Sequence, residues 1–477
     1  MSATTTTTTR PGQRVVVVGG GPGGYEAALV AAQLGAKVRV VEETGLGGSA
    51  VLTDVVPSKT LIATAEVMAT VDRAPELGVR FPGSTGADTD PRGAATVDLG
   101  HLNMRVRALA EAQSTDIHAR LAAEGIEMIE GRGRLLAGDR VEVRSPGGAT
   151  STLDADVVLL AVGSSPRELP SGRPDGERIL TWKQLYALTE LPQRLIVVGS
   201  GVTGAEFADA YDALGSDVVL VSSRDRVLPG EDADAAEVIE QVFTRRGMEV
   251  VSRSRAEAVE RTADGVRVRL DDGRSVEGSH CLVAVGAIPN TAHLGLEDAG
   301  VEVQPTGHIA VDQVSRTTAR GVYAAGDCTG VLPLASVAAM QGRIAMRHAL
   351  GDAVAPLKLG HVASNIFTAP EIATVGWSQR AIESGEAQGQ IVKLPLSGNP
   401  RAKMQGFRDG FVKVFSRTGS GTVIGGVIVA PRASELIYPL TLAMEHRLTV
   451  DQLAQAFTVY PSLSGSIAEA ARRLHAM

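Results

Sequence analysis

Two copies of one glycine pattern constrain this chain more than any other feature. The first reads Gly19-x-Gly21-x-x-Gly24 and the second reads Gly199-x-Gly201-x-x-Gly204. Each copy follows a short aliphatic run and precedes an Ala-rich or polar helical stretch, which predicts a buried parallel strand that turns into a helix. The glycines permit a tight turn, close approach of a pyrophosphate and close packing of helix on strand. The sequence therefore predicts an α/β fold with two Rossmann-like dinucleotide-binding domains.

The residues that end the second strand distinguish the two copies. Glu42 lies 18 residues after Gly24, where its carboxylate can accept hydrogen bonds from the ribose hydroxyls of an adenosine. The equivalent strand of the second copy ends in Ser222, Ser223 and Arg224. Hydroxyls and a guanidinium accept a 2′-phosphate that a carboxylate would repel. We expect NADP(H) to be accepted there, with an ordinary surface role for Arg224 as the alternative.

Two dinucleotide sites without an obvious substrate domain between them favour electron transfer from one cofactor to the other. A nicotinamide that reduces a flavin is the natural pair. From about Gly360 the pattern changes to strands separated by turns, followed by helical stretches near the end of the chain. This last region has no glycine fingerprint and predicts a separate α+β domain.

Net charge and composition limit the possible binding partners and the possible cellular location of the protein. The net charge of −8 opposes binding to nucleic acid backbones or anionic membranes. No run of about 20 apolar residues predicts a membrane span, and the Thr-rich start lacks the apolar core of a signal peptide. We therefore expect a cytoplasmic protein with a short disordered tail, no nucleic-acid partner and no stable membrane insertion.

The cysteines and histidines exclude several kinds of site. Cys281 and Cys328 are the only cysteines, so a disulfide framework, a Cys-rich zinc site and a closely spaced dithiol are excluded. The nine histidines show no spacing typical of metal ligands. No metal is expected.

Five further motifs occur in a set order around the two fingerprints. They are Pro57-Ser58-Lys59, Ala161-Val-Gly163, Ala284-Val-Gly286, Gly326-Asp327 and Phe367-Thr-x-Pro370-Glu371. Each motif alone is common. Together, over about residues 14–470, they resemble the FAD-dependent pyridine nucleotide–disulfide oxidoreductases, the family of dihydrolipoamide dehydrogenase and glutathione reductase.

The resemblance implies non-covalently bound FAD, a nicotinamide donor and a set of binding residues. For FAD these are Gly19, Gly21, Gly24, Glu42, Lys59, Gly163 and Asp327. For NAD(P)H they are Gly199, Gly201, Gly204, Ser222, Ser223, Arg224 and Gly286. In the family, the counterpart of Asp327 hydrogen-bonds the ribityl chain. Lys59 and Glu206 match an ion pair beside flavin N5, where hydride arrives, with a purely structural salt bridge as the alternative.

The resemblance also implies the domain organisation. The FAD-binding domain is expected to be interrupted by the NAD(P)-binding domain and followed by a dimerisation domain. The predicted boundaries are a disordered tail at 1–13, the two parts of the FAD-binding domain at 14–170 and 291–357, the NAD(P)-binding domain at 171–290 and the dimerisation domain at 358–477.

The chain departs from the family where the family carries its redox-active dithiol. Aligned on the Pro-Ser-Lys motif, the two cysteines fall on Ala50 and Val55, which cannot form a thiolate. The catalytic His and Glu near the C-terminus are replaced by Tyr460 and Gly465. The base and the residue that orients it are therefore missing together with the dithiol.

These departures resemble those of an actinobacterial branch of NAD(P)H quinone reductases that lacks the cysteine pair. The resemblance implies a homodimeric, flavin-dependent NAD(P)H:quinone oxidoreductase, which takes hydride from NADPH or NADH and reduces a quinone by two electrons. Lys59, Glu206 and Tyr460 are the expected catalytic residues, and Tyr460 either contacts the quinone across the dimer interface or only packs there. The alternatives are a dihydrolipoamide dehydrogenase-like disulfide reductase and a non-catalytic, redox-responsive flavoprotein.

Overall fold

The computed structural model describes residues 12–80, 95–136 and 139–475, which form two compact units. The first unit contains the described residues up to Ser58, together with those of Met104–Arg167 and Ala287–Lys358. The second contains the described residues of Lys59–Asn103 and Glu168–Gly286 and those from Leu359 onward. All but the last two residues of the predicted tail, 1–13, lie outside the described residues.

The first part of the chain begins with alternating strands and helices and continues with a run of strands. Up to residue 167 the strands are β1 (Arg14–Val18), β2 (Lys37–Glu42), β3 (Glu127–Glu130), β4 (Arg132–Leu136), β5 (Arg140–Arg144), β6 (Thr150–Asp154), β7 (Val157–Leu160) and β8 (Ser164–Pro166). The helices of this part are α1 (Pro22–Gln33), α2 (Gly48–Leu52), α3 (Val55–Arg73) and α4 (Leu99–Ala123).

The middle of the chain repeats this order, with strands and helices that alternate up to α6 and a run of strands after it. Its strands are β9 (Ile179–Leu180), β10 (Arg194–Val198), β11 (Asp217–Val221), β12 (Glu249–Val251), β13 (Ala256–Arg261), β14 (Val266–Leu270), β15 (Ser275–Gly278), β16 (His280–Val283), β17 (Ala287–Pro289) and β18 (Val322–Ala324). Its helices are α5 (Val202–Leu214), α6 (Ala233–Arg246) and α7 (Ala335–Ala349).

The C-terminal part is richer in short helices. Its strands are β19 (Ser364–Ile366), β20 (Glu371–Gly376), β21 (Gly389–Pro395), β22 (Phe411–Arg417) and β23 (Val423–Ala430). Its helices are α8 (Gln379–Glu383), α9 (Pro400–Met404), α10 (Ala433–Leu436), α11 (Tyr438–Glu445), α12 (Val450–Gln455) and α13 (Gly465–His475).

Two parallel sheets have the same strand order around the fingerprint strand and differ in where the edge strand β18 or β9 comes from in the chain. In the first unit the strand order is β18-β7-β1-β2-β3, and in the second unit it is β12-β11-β10-β16-β9. Each fingerprint strand, β1 or β10, pairs on one side with the next strand of its copy and on the other with a strand far along the chain. Val15–Val18 of β1 and Leu195–Val198 of β10 are buried, as expected for central parallel strands covered on both faces. The predicted duplication of a Rossmann-like fold is confirmed.

The C-terminal part of the second unit is built on one antiparallel sheet with the order β19-β20-β23-β22-β21. Every residue of β23 is buried, and its side chains pack with those of β22, α11 and α13 in one hydrophobic core. The α+β character predicted for this region is confirmed. None of the helices in the described part of the chain is long and apolar enough to span a membrane.

Candidate active site

The first glycine loop leads from β1 into α1 in the first unit. A Cβ on Gly19 would lie 2.3 Å from the carbonyl oxygen of Ala161, and a Cβ on Gly24 would lie 1.9 Å from that of Gly19. Both positions therefore exclude a side chain. A Cβ on Gly21 would instead meet nothing within 4 Å, so the backbone of this residue is open to a ligand. Gly21 is also the N-cap of α1, which has no side-chain cap and no acidic residue in its first turn. A pyrophosphate fits this helix end.

Glu42 closes this loop from the end of β2. One carboxylate oxygen accepts a hydrogen bond from the Gly20 amide at 2.6 Å, and the other accepts from the amide and hydroxyl of Thr44 at 2.6 and 2.8 Å. The Gly45 amide donates to the same oxygen as Thr44 at 3.3 Å, so four donors of the loop already use the roughly four acceptor sites of the carboxylate, and ribose hydroxyls would share these sites with the loop. The carboxylate thus holds the loop in shape in addition to its predicted role toward the adenosine.

Asp327 lies on a short 3-10 helix, Asp327–Thr329, in the same unit. Its Oδ2 accepts a hydrogen bond from the Ser164 hydroxyl at 2.8 Å, next to Gly163. The buried Gln341 side chain on α7 accepts from the Gly326 amide at 2.8 Å and so fixes the turn that presents Asp327. The structure therefore places Asp327 beside the residue that follows Gly163, and it adds Ser164 and Gln341 as side chains that hold this turn.

The second glycine loop, from β10 into α5, repeats the geometry of the first. A Cβ on Gly199 would lie 2.2 Å from the Ala284 carbonyl oxygen, and one on Gly204 would lie 1.8 Å from that of Gly199, whereas one on Gly201 would meet nothing within 4 Å. Ala284 begins Ala284-Val-Gly286, just as Ala161 begins Ala161-Val-Gly163. Each Ala-Val-Gly motif and its glycine fingerprint therefore form one packed feature, because the Ala carbonyl occupies the space that the first glycine leaves.

The loop after β11 carries the predicted phosphate-binding residues. Ser222 is fully buried, and its Oγ lies 2.7 Å from that of Ser200 in the second glycine loop and accepts from the Arg224 amide at 3.1 Å. Ser222 thus holds its loop in shape from inside and links it to the second glycine loop. Ser223 and Arg224 have exposed side chains, so they are the two predicted residues able to reach a 2′-phosphate.

Lys59 and Glu206 form an ion pair within the second unit. Lys59 Nζ lies 2.8 Å from Glu206 Oε2, with side-chain exposures of 28% and 5%. The other carboxylate oxygen of Glu206 accepts from the Phe367 amide at 2.9 Å, and the ammonium lies 4.8 Å from the centroid of the Phe367 ring. Lys59 is therefore held by a carboxylate and an aromatic face, while part of its side chain remains accessible.

Asp209, one turn after Glu206 on α5, was not predicted from the sequence. Its Oδ2 accepts from the Ala369 amide at 2.8 Å, and its Oδ1 pairs with Arg246 at 2.6 Å. Burial raises the pKa of Asp209 to about 6, against the opposing effect of Arg246. Two buried carboxylates on α5 thus hold one backbone segment, Phe367 to Ala369. An acidic pair at i and i+3 was the available signal, but it is equally typical of an exposed helix face.

The remaining predicted positions carry no redox sulfur. Ala50 lies on α2, and Val55 begins α3. Cys281 and Cys328 are free, buried thiols, and burial raises the pKa of both. Tyr460 is 82% exposed at a cis peptide bond with Pro461, and no cluster of metal-ligating side chains occurs among the described residues.

Comparisons with known proteins agree with this geometry. The family model described as pyridine nucleotide-disulphide oxidoreductase matches residues 13–342, and the dimerisation domain of the same family matches residues 362–471. A relative from Mycobacterium tuberculosis named NAD(P)H dehydrogenase (quinone) is 54% identical over 95% of this chain and 92% of its own length. A dihydrolipoyl dehydrogenase from Chlamydia pneumoniae is 32% identical over 94% of each chain. The crystal structure of LpdA from Mycobacterium tuberculosis has a TM-score of 0.91, with 53% identity over 97% of this chain and 99% of that one.

Proposed function

The chain belongs to the pyridine nucleotide-disulphide oxidoreductase family, and we propose that it is an NAD(P)H:quinone oxidoreductase. Its cofactors are FAD and NAD(P)H, as in the rest of the family. When bound, the flavin supplies the chemistry, because it takes hydride from the nicotinamide and passes electrons to an acceptor. We expect the residues described above to bind and orient the two cofactors and to select between NADPH and NADH.

One observation carries this proposal. The chain lacks the dithiol and the base with which the family reduces disulfides, but it retains the ion pair that the family places beside the flavin. Ala50 and Val55 replace the dithiol, and Tyr460 and Gly465 replace the base and its partner. In contrast, the Lys59–Glu206 pair is present, with a 2.8 Å contact and a buried carboxylate. A buried charge pair is costly unless it is well satisfied, and Glu206 has both Lys59 and the Phe367 amide as partners.

The missing dithiol indicates which class of electron acceptor the protein uses. Disulfide reduction needs a thiolate to attack the substrate, and no thiolate is available at positions 50 and 55. A quinone needs no protein nucleophile, because its planar, electrophilic ring takes electrons directly from a reduced flavin. The relative named NAD(P)H dehydrogenase (quinone), at 54% identity, supports this choice of acceptor.

The donor site favours acceptance of NADPH beside NADH. The loop after β11 presents Ser223 and Arg224 to solvent, and the position that would carry a selecting carboxylate is Ser222. Gly201 leaves the N-terminus of α5 open for the pyrophosphate, and Gly286 follows the adjacent strand β16. We therefore expect NADPH to be used at least as well as NADH.

A homodimer is the proposed working form, in the cytoplasm, where free cysteines stay reduced. The dimerisation domain model covers residues 362–471, and large apolar side chains of this region are exposed in the single chain, namely Met404, Tyr438, Phe457, Val459 and Tyr460. A two-fold interface would bury the same apolar residues on both subunits. We propose that Tyr460 of one subunit contacts the quinone bound at the other.

A steady-state screen of NAD(P)H oxidation tests the function. Quinones should be reduced, whereas lipoamide and glutathione disulfide should not. Turnover of lipoamide above that of quinones would establish the disulfide reductase instead. A flavin that is not bleached by anaerobic NADPH would establish the non-catalytic flavoprotein, because a binding module has no need to accept hydride.

The role of Tyr460 has its own comparison. Tyr460→Phe keeps the ring and removes the hydroxyl, whereas Tyr460→Ala removes both. If the side chain contacts the quinone, Tyr460→Ala should raise the KM for quinone and leave flavin reduction by NADPH unchanged. Equal kinetics for wild type and Tyr460→Ala would assign this residue to packing alone.

A further inference from the structure

Arg253 occupies an unusual backbone position two residues after the end of β12. Its φ is +56°, in the left-handed region that residues other than glycine rarely adopt. Its amide donates a hydrogen bond to the carbonyl oxygen of Arg224 at 2.7 Å, and the next amide, of Ser254, donates to Ser222 at 2.9 Å. The turn that contains Arg253 is therefore bonded to the loop that contains Arg224.

The far side of this turn is also fixed. The Ser254 hydroxyl donates to Asp272 Oδ2 at 2.9 Å and accepts from Arg274 at 2.7 Å. Asp272 and Arg274 are themselves paired at 2.7 Å. The amide of Arg253 and both the amide and the hydroxyl of Ser254 are thus hydrogen-bonded, and these bonds hold Arg253 in its left-handed conformation.

The strand register places both arginines at one edge of the sheet. β11 and β12 are parallel, with Val221 opposite Val251. The residues that follow these strands therefore meet at the carboxyl edge, where Rossmann-like folds bind nucleotides. Ser200 of the second glycine loop bonds to Ser222 at the same edge. The second glycine loop, the loop that contains Arg224 and the turn that contains Arg253 are therefore joined by hydrogen bonds at this edge. We call these three segments together the rim.

The charge of this rim is positive. Arg224 and Arg253 are exposed, and neither makes an ion pair within the part of the chain that the structure describes. The loop from Ser222 to Asp232 also carries three carboxylates: Asp225 lies 3.5 Å from Arg226, Asp232 pairs with Lys413, and Glu231 precedes Asp232 at the far end of the loop. Asp271 accepts from the Arg255 amide at 2.9 Å. Two exposed arginines therefore belong to backbone segments that are hydrogen-bonded to each other at this edge of the sheet.

We propose that Arg253 is a second specificity-determining residue of the donor site and binds the 2′-phosphate of NADPH together with Arg224. This inference rests on the proposed use of NADPH by this site. A 2′-phosphate offers several acceptor oxygens and close to two negative charges, which suit two guanidinium groups. NADH has no group at this position. Arg253 would therefore act on the choice of donor and not on the acceptor.

The test replaces the charge and keeps the backbone. Asn tolerates the left-handed region, so Arg253→Asn removes the guanidinium without adding backbone strain, and Arg253→Lys keeps a positive charge. Arg255→Asn is the matched control, because Arg255 is an exposed arginine two residues further along the same turn. The readouts are the KM values for NADPH and NADH with one quinone, and the Kd values for 2′,5′-ADP and 5′-AMP.

The expected result is that Arg253→Asn weakens NADPH and 2′,5′-ADP by about tenfold and leaves NADH and 5′-AMP unchanged, with Arg253→Lys between the two and Arg255→Asn like wild type. Equal weakening of both donors, or unchanged binding of 2′,5′-ADP to folded Arg253→Asn, overturns the assignment. A wild-type protein that reduces no quinone would overturn the proposed function instead, because the 2′,5′-ADP measurement does not depend on turnover.

Discussion

Variants of Glu206 and Asp209 can separate two contributions to flavin reduction. One is the ion pair with Lys59, and the other is helix attachment, meaning the hydrogen bonds that hold α5 to the backbone segment from Phe367 to Ala369. Both are buried carboxylates on α5, with side-chain exposures of 5% and 7%. Both accept a backbone amide from the segment that contains Phe367 and Ala369. Only Glu206 contacts Lys59. We therefore expect Glu206→Gln to slow flavin reduction by NADPH and Asp209→Asn to leave that step near the wild-type rate.

The size of the effect follows from the environment of the pair. Glutamine can still accept from the Phe367 amide, but it removes the negative charge 2.8 Å from Lys59 Nζ. Breaking a buried pair costs about 3–5 kcal/mol, and the 28% exposure of Lys59 reduces the loss because water replaces part of the carboxylate. We expect about 2 kcal/mol. If this is lost in the transition state, hydride transfer slows roughly 30-fold.

The assay is anaerobic stopped-flow measurement of flavin bleaching at saturating NADPH, with both variants matched to wild type in FAD content. Thermal unfolding of each variant reports whether the fold is intact. Bleaching of Glu206→Gln at the wild-type rate would refute the role of the pair in hydride transfer. If flavin bleaching in Asp209→Asn slows by the same factor as in Glu206→Gln, the effect comes from helix attachment and not from the ion pair.

Three further outcomes are expected. Asp209 binds its proton more tightly in the folded state, with a pKa of about 6 against an ordinary 3.8, so its contribution to stability falls as pH rises from about 4 to about 6. The thermal midpoint of Asp209→Asn relative to wild type should therefore rise over that interval and be constant above it, and a flat difference contradicts the assignment. Anaerobic dithionite titration should end at two electrons per FAD, because no dithiol exists, whereas an endpoint at four would reveal a second redox group. Light scattering should give the mass of a dimer, and an active monomer would count against the proposed interface.

Much of the fold and part of the site could be predicted from local sequence. The glycine positions, the aliphatic runs and the spacing to Glu42 specify a strand, a turn and a helix that involve residues close together in the chain. The missing thiols at Ala50 and Val55 are also a local fact, since a residue without sulfur cannot carry a thiolate in any fold. These features determined the α/β class, the two dinucleotide sites and the exclusion of dithiol chemistry.

Tertiary structure alone decided which distant segments meet. Glu206 contacts Phe367 across 161 positions, and the contact of Ala161 with Gly19 explains why the Ala-Val-Gly motif accompanies each fingerprint. Ser222, predicted as a surface ligand, is a buried link of its loop, because the Ser200 hydroxyl meets it from the neighbouring turn. Arg253 had no pattern to mark it. Such contacts depend on how the sheet edges and helices pack, and packing is a property of the whole core, which no short stretch of sequence specifies.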